Sequence, residues 1–402
     1  MKKVTEKDAH LIFKELFRKY YRVADLILPQ DLGFREIAIQ DFDGDYYIRH
    51  LTFENKSQLI EFITREHVPK NLYYSSAKYR DPGNSSMEGK GWIGSDLIFD
   101  IDADELPLCS SKIVEFRFCP NCGYVATNPD EKTCPRCNKE LVKFRHVEPE
   151  CISMAFDRLK ELVDIIENDF GFTNYRASFS GNRGFHLVVE LQHPYDLLDS
   201  EMRREIVSYL VLDDVQKKFI KNVFVAELSR RGRRGLLGII PRIVDGGVRR
   251  RIAKALLGKV PEYSKSYILG YVNEIDVIKA VEIVNILRDN LDEILNIISI
   301  PVDAKVTIDL THLVRVPNSI NGKTGWRAHL IDDLSEFRLD ESKVSIGNIS
   351  EIFRIKFIVS LPEIRVIDRA FKVKQDDVLD LEYVYASYFI FKGVAKLVDV
   401  KR

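Results

Sequence analysis

Cys119, Cys122, Cys134 and Cys137 stand as two Cys-x-x-Cys pairs with eleven residues between them, and no other feature restricts the fold of this chain so tightly. Each pair makes a turn that offers two thiolates to one point, and two such turns close a tetrahedron around a single thiophilic ion. The stretch FRFCPNCGYVATNPDEKTCPRCNKEL therefore predicts a zinc-ribbon-like site, with a spacer shorter than the ~15–20 residues of some four-cysteine sites. A redox dithiol is the competing reading, but redox chemistry alone does not account for two pairs at this spacing. A closed four-thiolate shell has no open position, so the expected role of the metal is structural. Cys109 and Cys151 lie just outside the segment. Six cysteines are too few to staple a chain of 402 residues, and the pattern fits a reducing, cytosolic setting.

With 45% hydrophobic residues the chain has ample material for a core and for more than one structural unit. Basic and acidic residues nearly cancel, 60 against 61, so any affinity for nucleic acid must come from local patches. The N-terminal segment is broken by Glu6, Asp8 and His10, and nowhere does an uncharged apolar run reach the ~18–20 residues of a membrane span. Membrane insertion and secretion are therefore not expected.

Leu11, Ile12, Leu16, Phe17 and Tyr20 predict an amphipathic first helix, and residues 36–53, with Asp43-Gly44, predict a hairpin. The Tyr-rich, Pro- and Gly-punctuated stretch from 70 reads as loop, leading into a strand through SDLIFDIDADEL. Met154, Leu159, Leu162, Val163 and Ile166 predict a helix capped by Gly171, followed by two strands, YRASFS and FHLVVEL, around a GNRG turn. From about 195 to 300 helical periodicity dominates, as in Ile275, Ile278, Val281, Val284, Leu287, Leu291, Ile294 and Ile298. Strand character returns at 300–330, and the tail from 350 holds β-rich runs such as LEYVYASYFIF.

In FDID the two-residue period of a strand puts Asp100 and Asp102 on one face while Phe99 and Ile101 point into a core. Two adjacent carboxylates repel, and hard oxygen ligands on a rigid strand suit Mg²⁺ or Mn²⁺. A solvated acidic turn is the alternative, and Asp96 and Asp104 share the same parity. SGNRGFH gathers Ser180, Arg183 and His186 around a turn, offering a hydroxyl, a guanidinium, an imidazole and backbone donors to a triphosphate. In HLVRVPNSINGKTG, Arg315 and Lys323 add two cations, and Asp303 or Asp309 could supply a third carboxylate, which spacing alone does not rank. Gly322-Lys323-Thr324 lacks the earlier glycine of a Walker loop, and His312 reads as a packed residue rather than a base. Residues 229–251 hold eight arginines against Asp245, which suits either nucleic-acid phosphates or a solvated basic face.

Taken in order, FDID, the cysteine segment, SGNRGFH and the NSINGKTG block, with the lead-in YRDPGNSSMEGKGWIGSDL, resemble the small catalytic subunit of archaeal and eukaryotic DNA primases, the archaeal form most closely. The resemblance covers roughly residues 70–330. It implies a mixed α/β (α+β) primase-type catalytic core with a zinc knuckle and an inserted helical subdomain. The corresponding divisions are 1–195, with the knuckle at about 109–145, a helical insertion at 196–300, a second catalytic part at 301–345 and a β-rich segment at 346–402.

The implied activity is template-directed, two-metal nucleotidyl transfer that makes short primers on single-stranded DNA from nucleoside triphosphates. Asp100 and Asp102 match the catalytic Mg²⁺ or Mn²⁺ ligands of that family. Asp303 matches the third, because it lies twenty residues before Lys323, with Asp309 as the runner-up. Ser180, Arg183, His186, Arg315 and Lys323 match residues that contact the triphosphate. Where many relatives carry histidine two residues before the lysine, this chain has Asn321. The resemblance also implies a heterodimer with a large regulatory subunit and a cytoplasmic location. A non-catalytic zinc-containing nucleic-acid-binding subunit and a repair primase-polymerase are the alternatives.

Overall fold

The structure is a computed structural model that describes residues 5–44, 46–228 and 233–401. It is a mixture of helices and antiparallel sheets that divides into two compact units. One comprises Met1–Asp157, Asn174–Leu198 and Asp309–Arg402, the other Arg158–Thr173 and Asp199–Ile308.

The first unit opens with a helix, Glu6–Val23, started by a capping box in which Thr5 Oγ1 accepts from the Asp8 amide and the Asp8 carboxylate accepts from the Thr5 amide. Its buried face carries Phe13, Phe17, Tyr20 and Tyr21, while Leu11, expected inside, is 53% exposed. The large rings decide the orientation: Phe17 packs on Phe42 and Phe391, and Phe13 on Phe353, Tyr383 and Phe391.

Two four-stranded sheets carry the motifs. One runs in the order Leu313–Arg315, Pro69–Ser75, Ile37–Asp41, Tyr47–Leu51, and its last two strands are the hairpin around Asp43-Gly44. The other runs Leu330–Ile331, Tyr175–Phe179, Gly184–Val189, Leu97–Asp102. The stretch after 70, read as loop, thus holds a central strand, and Ala77–Tyr79 pairs with Trp92–Ser95 beyond it. Buried serines hid this strand: Ser75 Oγ donates to the Ala77 carbonyl and accepts from the Glu36 amide, so polar residues occupy core positions.

The tail contributes strands Ile352–Phe357, Leu361–Val366, Arg369–Val373, Val378–Glu382 and Ala395–Lys401. Between the last two lies a helix, Tyr383–Phe391, where LEYVYASYFIF suggested a strand. Residues 383–389 are all buried, so the segment has no polar face, and periodicity cannot tell such a helix from a strand.

The second unit is built from helices, with a core of Ile252, Leu256, Ile268, Ile283, Leu287, Ile294 and their neighbours. The long helix Val277–Ile297 buries Ile283, Val284, Leu287, Leu291 and Ile294, but its first turn departs from the expected stripe, since Ile278 is 82% exposed. Three arginines of the basic run are engaged within the fold. Arg251 is buried and donates to the carbonyls of Tyr209, Leu210 and Ile298; Arg250 pairs with Asp164 and Asp169; Arg242 donates to the Tyr267 and Val272 carbonyls. Arg230 and Arg231 lie outside the described residues.

No helix among the described residues is long and apolar enough to cross a membrane.

Candidate functional site

The strand Leu97–Asp102 runs antiparallel to Gly184–Val189 with Asp102 opposite Gly184 and Asp100 opposite His186. Directly opposed residues share a face, so both carboxylates, the imidazole and the end of the GNRG turn emerge together, while Phe99 and Ile101 are fully buried on the other side. The other two acids of the same parity are taken up elsewhere. Asp96 is buried and ion-paired with Arg35 (2.7 Å), whereas Asp104 bridges Arg145 Nε and Arg183 Nε, each at 2.7 Å. Asp100 and Asp102 keep about a quarter of their side-chain surface, 25% and 27%. Arg183 Nη2 lies 3.3 Å from Asp102 Oδ2, and His186 Nε2 lies 3.7 Å from Asp100 Oδ1.

Burial pushes the Asp102 carboxyl above its ordinary range, with Arg183 opposing and Asp104 reinforcing the shift. A carboxylate held this way gains from a nearby cation. Burial, helped by Arg315 and His312, lowers the His186 imidazole to about 3, so it is neutral at physiological pH and offers hydrogen bonds rather than a further positive charge.

The turn itself is tight. Ser180 N donates to the Gly184 carbonyl (2.8 Å), Gly184 N donates to Ser180 Oγ (3.1 Å), and Ala103 N donates to the Arg183 carbonyl (3.0 Å), which ties the turn to the end of the carboxylate strand. Ser180 therefore uses an oxygen lone pair locally and retains its hydroxyl proton for a ligand.

The loop carrying Lys323 is clamped onto this turn. Asn321 is buried, donates to the Ser180 carbonyl (2.8 Å) and accepts from the Lys323 amide (2.9 Å), while Thr324 Oγ1 donates to the Gly181 carbonyl (2.6 Å). At the position where a histidine was expected, Asn321 is thus a structural link between two loops. Lys323 is exposed. Arg315 is preset by three groups that sequence reading did not single out: Nη1 donates to Asn71 Oδ1 (2.7 Å) and the Ile320 carbonyl (3.0 Å), and Nη2 to Tyr73 Oη (3.1 Å). Asn71 Oδ1 also accepts from the Gly322 amide (2.9 Å), so one strand residue positions both the guanidinium and the lysine loop. The sequence reading carries no signal for this, because it takes the stretch from 70 as loop where the structure has the strand Pro69–Ser75.

Asp303 belongs to the helical unit, where its Oδ1 accepts from the Lys305 amide (2.8 Å). Asp309 is the first residue of the last segment of the other unit. Its Oδ1 accepts from the Thr311 amide (2.8 Å) and hydroxyl (2.9 Å), and the neighbouring His312, at 3.7 Å, is the main cause holding its carboxyl down at about 2.

Cys119, Cys122, Cys134 and Cys137 converge with all sulfurs within 4.8 Å of one another, the one group of three or more histidine, cysteine or acidic side chains with this property among the described residues. The close pairs are Cys119–Cys137 (3.3 Å), Cys122–Cys134 (3.5 Å) and Cys122–Cys137 (3.9 Å). A tetrahedron with ~2.3 Å metal–sulfur bonds needs sulfurs about 3.8 Å apart, so the cluster could hold a metal such as zinc. The knuckles spring from the hairpin Ile113–Phe118 and Val142–Val147.

The two cysteines outside the cluster are joined as a disulfide, Cys109–Cys151, a pairing that the sequence reading, which favours a reducing setting, does not draw. Cys109 lies in the short helical turn Pro107–Lys112 and Cys151 in the first turn of the helix Pro149–Asn168, both fully buried, and the fold brings their Cα atoms to 5.8 Å.

A strand-borne carboxylate pair beside cationic side chains on two clamped loops is the arrangement of a class of protein whose site could hold a divalent cation and phosphate groups. Comparison with known proteins gives the family. The family model for the DNA primase small subunit matches residues 142–332. Among curated proteins the chain is 33% identical to the DNA primase small subunit PriS of Staphylothermus marinus over 399 residues, 98% of this chain and 97% of that one. It is also 33% identical to PriS of Hyperthermus butylicus over 396 residues, 96% of each chain, and to PriS of Saccharolobus solfataricus over 331 residues, 82% of this chain and 79% of the relative. The chain belongs to the DNA primase small subunit family.

Proposed function

We propose that this chain is the catalytic subunit of a DNA primase, a DNA-directed nucleotidyltransferase that joins nucleoside triphosphates on a single-stranded DNA template. The observation that carries the reading is the register of the two central strands, which sets Asp100 and Asp102 on one face beside Arg183 and His186. Asp100 and Asp102 fit a divalent cation, Mg²⁺ or Mn²⁺, since they are adjacent hard ligands and burial already disfavours the charge on Asp102. When bound, such ions supply the charge that lowers the pKa of an attacking 3′-hydroxyl and offsets the charge of the leaving pyrophosphate.

The pair alone would not fill a coordination shell; substrate phosphates, water and a third carboxylate would supply the rest. Asp303 is proposed as that carboxylate on its place twenty residues before Lys323.

The remaining roles follow from the side chains. Arg183, Arg315 and Lys323 neutralise the triphosphate, with Arg315 held rigid before substrate arrives. His186, neutral, and Ser180 donate hydrogen bonds. The four cysteines hold zinc, and a large regulatory subunit completes a heterodimer in the cytoplasm.

Incorporation of labelled nucleotides on unprimed single-stranded DNA with Mg²⁺ or Mn²⁺ tests the reading. Product from the wild type, none from Asp100→Ala or Asp102→Ala, and none from Asp303→Asn is expected. Template binding without metal-dependent product, also when the large subunit is supplied, would replace it with a non-catalytic nucleic-acid-binding subunit.

A further inference from the structure

The carboxylate strand, the GNRG turn and the lysine loop all precede residue 345, yet the C-terminal segment places a cation among them. The helix Tyr383–Phe391 is pinned under the lysine loop: Trp326 Nε1 donates to the Val384 carbonyl (2.7 Å), and Tyr383 Oη donates to the Gly325 carbonyl (2.7 Å). Tyr388 Oη lies 2.6 Å from His146 Nδ1. The helix stops at Gly393, whose φ of +76° lets the Gly393 amide return to the Ile390 carbonyl (2.9 Å) and the Val394 amide to that of Phe389 (3.0 Å). This paired closure fixes the residue at the helix end, Lys392.

Lys392 Nζ donates to Asn182 Oδ1 (2.8 Å), inside the GNRG turn, and to the Arg145 carbonyl (3.3 Å). An ammonium has three N–H groups, so one remains. No carboxylate stands within ion-pair distance of it among the described residues. Lys392 lines a pocket together with Arg145, Asn182, Arg183 and Arg365, and it is through Asn182 and Arg183 of the turn that this pocket adjoins the carboxylate strand. The charged and titratable groups around it are Arg145 and His146 from one strand, Asp102 and Asp104 at the end of another, Arg183 on the turn, Lys323 on its loop, Arg365 and Tyr388. Burial first, then repulsion by Arg183 and Lys323, lowers the ammonium to about 7, with Asp104 and Asp102 opposing. A desolvated ammonium among like charges is costly until an anion arrives.

We propose that Lys392 is a further phosphate-recognising residue of the nucleotide site, acting on the triphosphate from beneath the Ser180–Gly184 turn. The proposal rests on the primase reading and assigns part of the substrate site to the C-terminal segment. Lys392 orders Asn182 and directs its remaining N–H toward a phosphate oxygen. Because the charged form binds, nucleotide affinity falls as pH rises through the range in which Lys392 loses its proton.

Calorimetric titration of the full chain with a Mg²⁺-bound nucleoside triphosphate, from about pH 6 to about pH 8.5, tests this on the wild type, Lys392→Arg and Lys392→Met. Lys392→Met is expected to weaken binding about tenfold at the acid end, the loss of one charge-assisted contact, and to be insensitive to pH. Lys392→Arg should bind like the protonated wild type at every pH, because guanidinium does not titrate there. Relief of the desolvated charge is offset by the two acceptors left without a donor, Asn182 Oδ1 and the Arg145 carbonyl, so the melting temperature of Lys392→Met should stay close to that of the wild type, and lost affinity is then not lost fold. Should Lys392→Met nevertheless fail to fold, the flat profile of Lys392→Arg against a falling wild-type profile decides. Wild-type affinity in Lys392→Met, or parallel pH profiles in wild type and Lys392→Arg, overturns the proposal. Nucleotide binding that depends on Lys392, without synthesis on a template, would sink the primase reading and leave this one standing; a wild type that binds no nucleotide would end both.

Discussion

At the scale of single residues, the pairing of the two strands leaves no room for a side chain at residue 184 beside Asp102. A Cβ on Gly184 would lie 2.3 Å from Asp102 Oδ1 and 2.8 Å from the Ile101 carbonyl, so any side chain there must push the carboxylate aside or part the two strands. Gly184→Ala is expected to lower metal-dependent synthesis about a hundredfold, as misplacement of a reacting group by ~1 Å does, while circular dichroism stays native; activity within twofold of wild type would show that Asp102 tolerates displacement. His186 gives a second prediction. Burial, with Arg315 and His312 adding repulsion, holds its imidazole down at about 3, so it carries no proton to lose near neutral pH and its titration should not shape nucleotide binding there. His186→Gln, which keeps a donor, should therefore retain most nucleotide affinity, and His186→Phe should lose it; equal losses in a binding titration would mean that the charge was needed after all. Parity within FDID was enough to put Asp100 and Asp102 side by side, and the register across the sheet added His186. The duty of Asn321 was not legible, because its acceptor on Ser180 is 141 residues away and nothing local marks the pairing.

At the scale of elements, the cysteine segment is fastened twice. The disulfide Cys109–Cys151 closes a loop of sequence separation 42 that contains the whole four-cysteine cluster. Chain entropy assigns such a closure about 4 kcal/mol, and a metal on the four thiolates would constrain the same loop from within. The two fastenings should therefore be partly redundant: a chelator alone or a reductant alone lowers the melting temperature modestly, and both together lower it by more than the sum. Strict additivity in a calorimetric scan would count against a shared loop. The four ligands were legible because knuckle spacing is a local property, whereas the disulfide depends on a turn and a helix start being brought together by the fold. The helix Tyr383–Phe391 was misread for a related reason: with both faces buried it presents no periodicity, and its aromatic and β-branched residues favour a strand when read singly.

At the scale of the whole chain, the groups of the proposed site come from segments far apart in sequence: the carboxylate strand near residue 100, the turn at 180–184, the lysine loop at 321–325 and the C-terminal helix end at Lys392. The balance of 60 basic and 61 acidic residues carries no trace of the local cation excess that this gathering creates. It also makes the tail part of the catalytic unit rather than an appendage, since Trp326 is buried with its indole N–H on the Val384 carbonyl and Tyr383 closes onto Gly325. A chain ending at Glu382 would leave that indole without its acceptor and strip Phe13, Phe17 and Phe42 of their contact with Phe391. It would also remove Phe389, a fully buried ring packed on Phe357 and Phe371. Loss of even one such aromatic costs about 3–5 kcal/mol, so the truncated chain should lose cooperative unfolding and nucleotide binding together, whereas Lys392→Met only weakens the second. Scanning calorimetry beside a binding titration separates the two, and a truncated chain that melts like the full one would mean that the tail does not support the lysine loop.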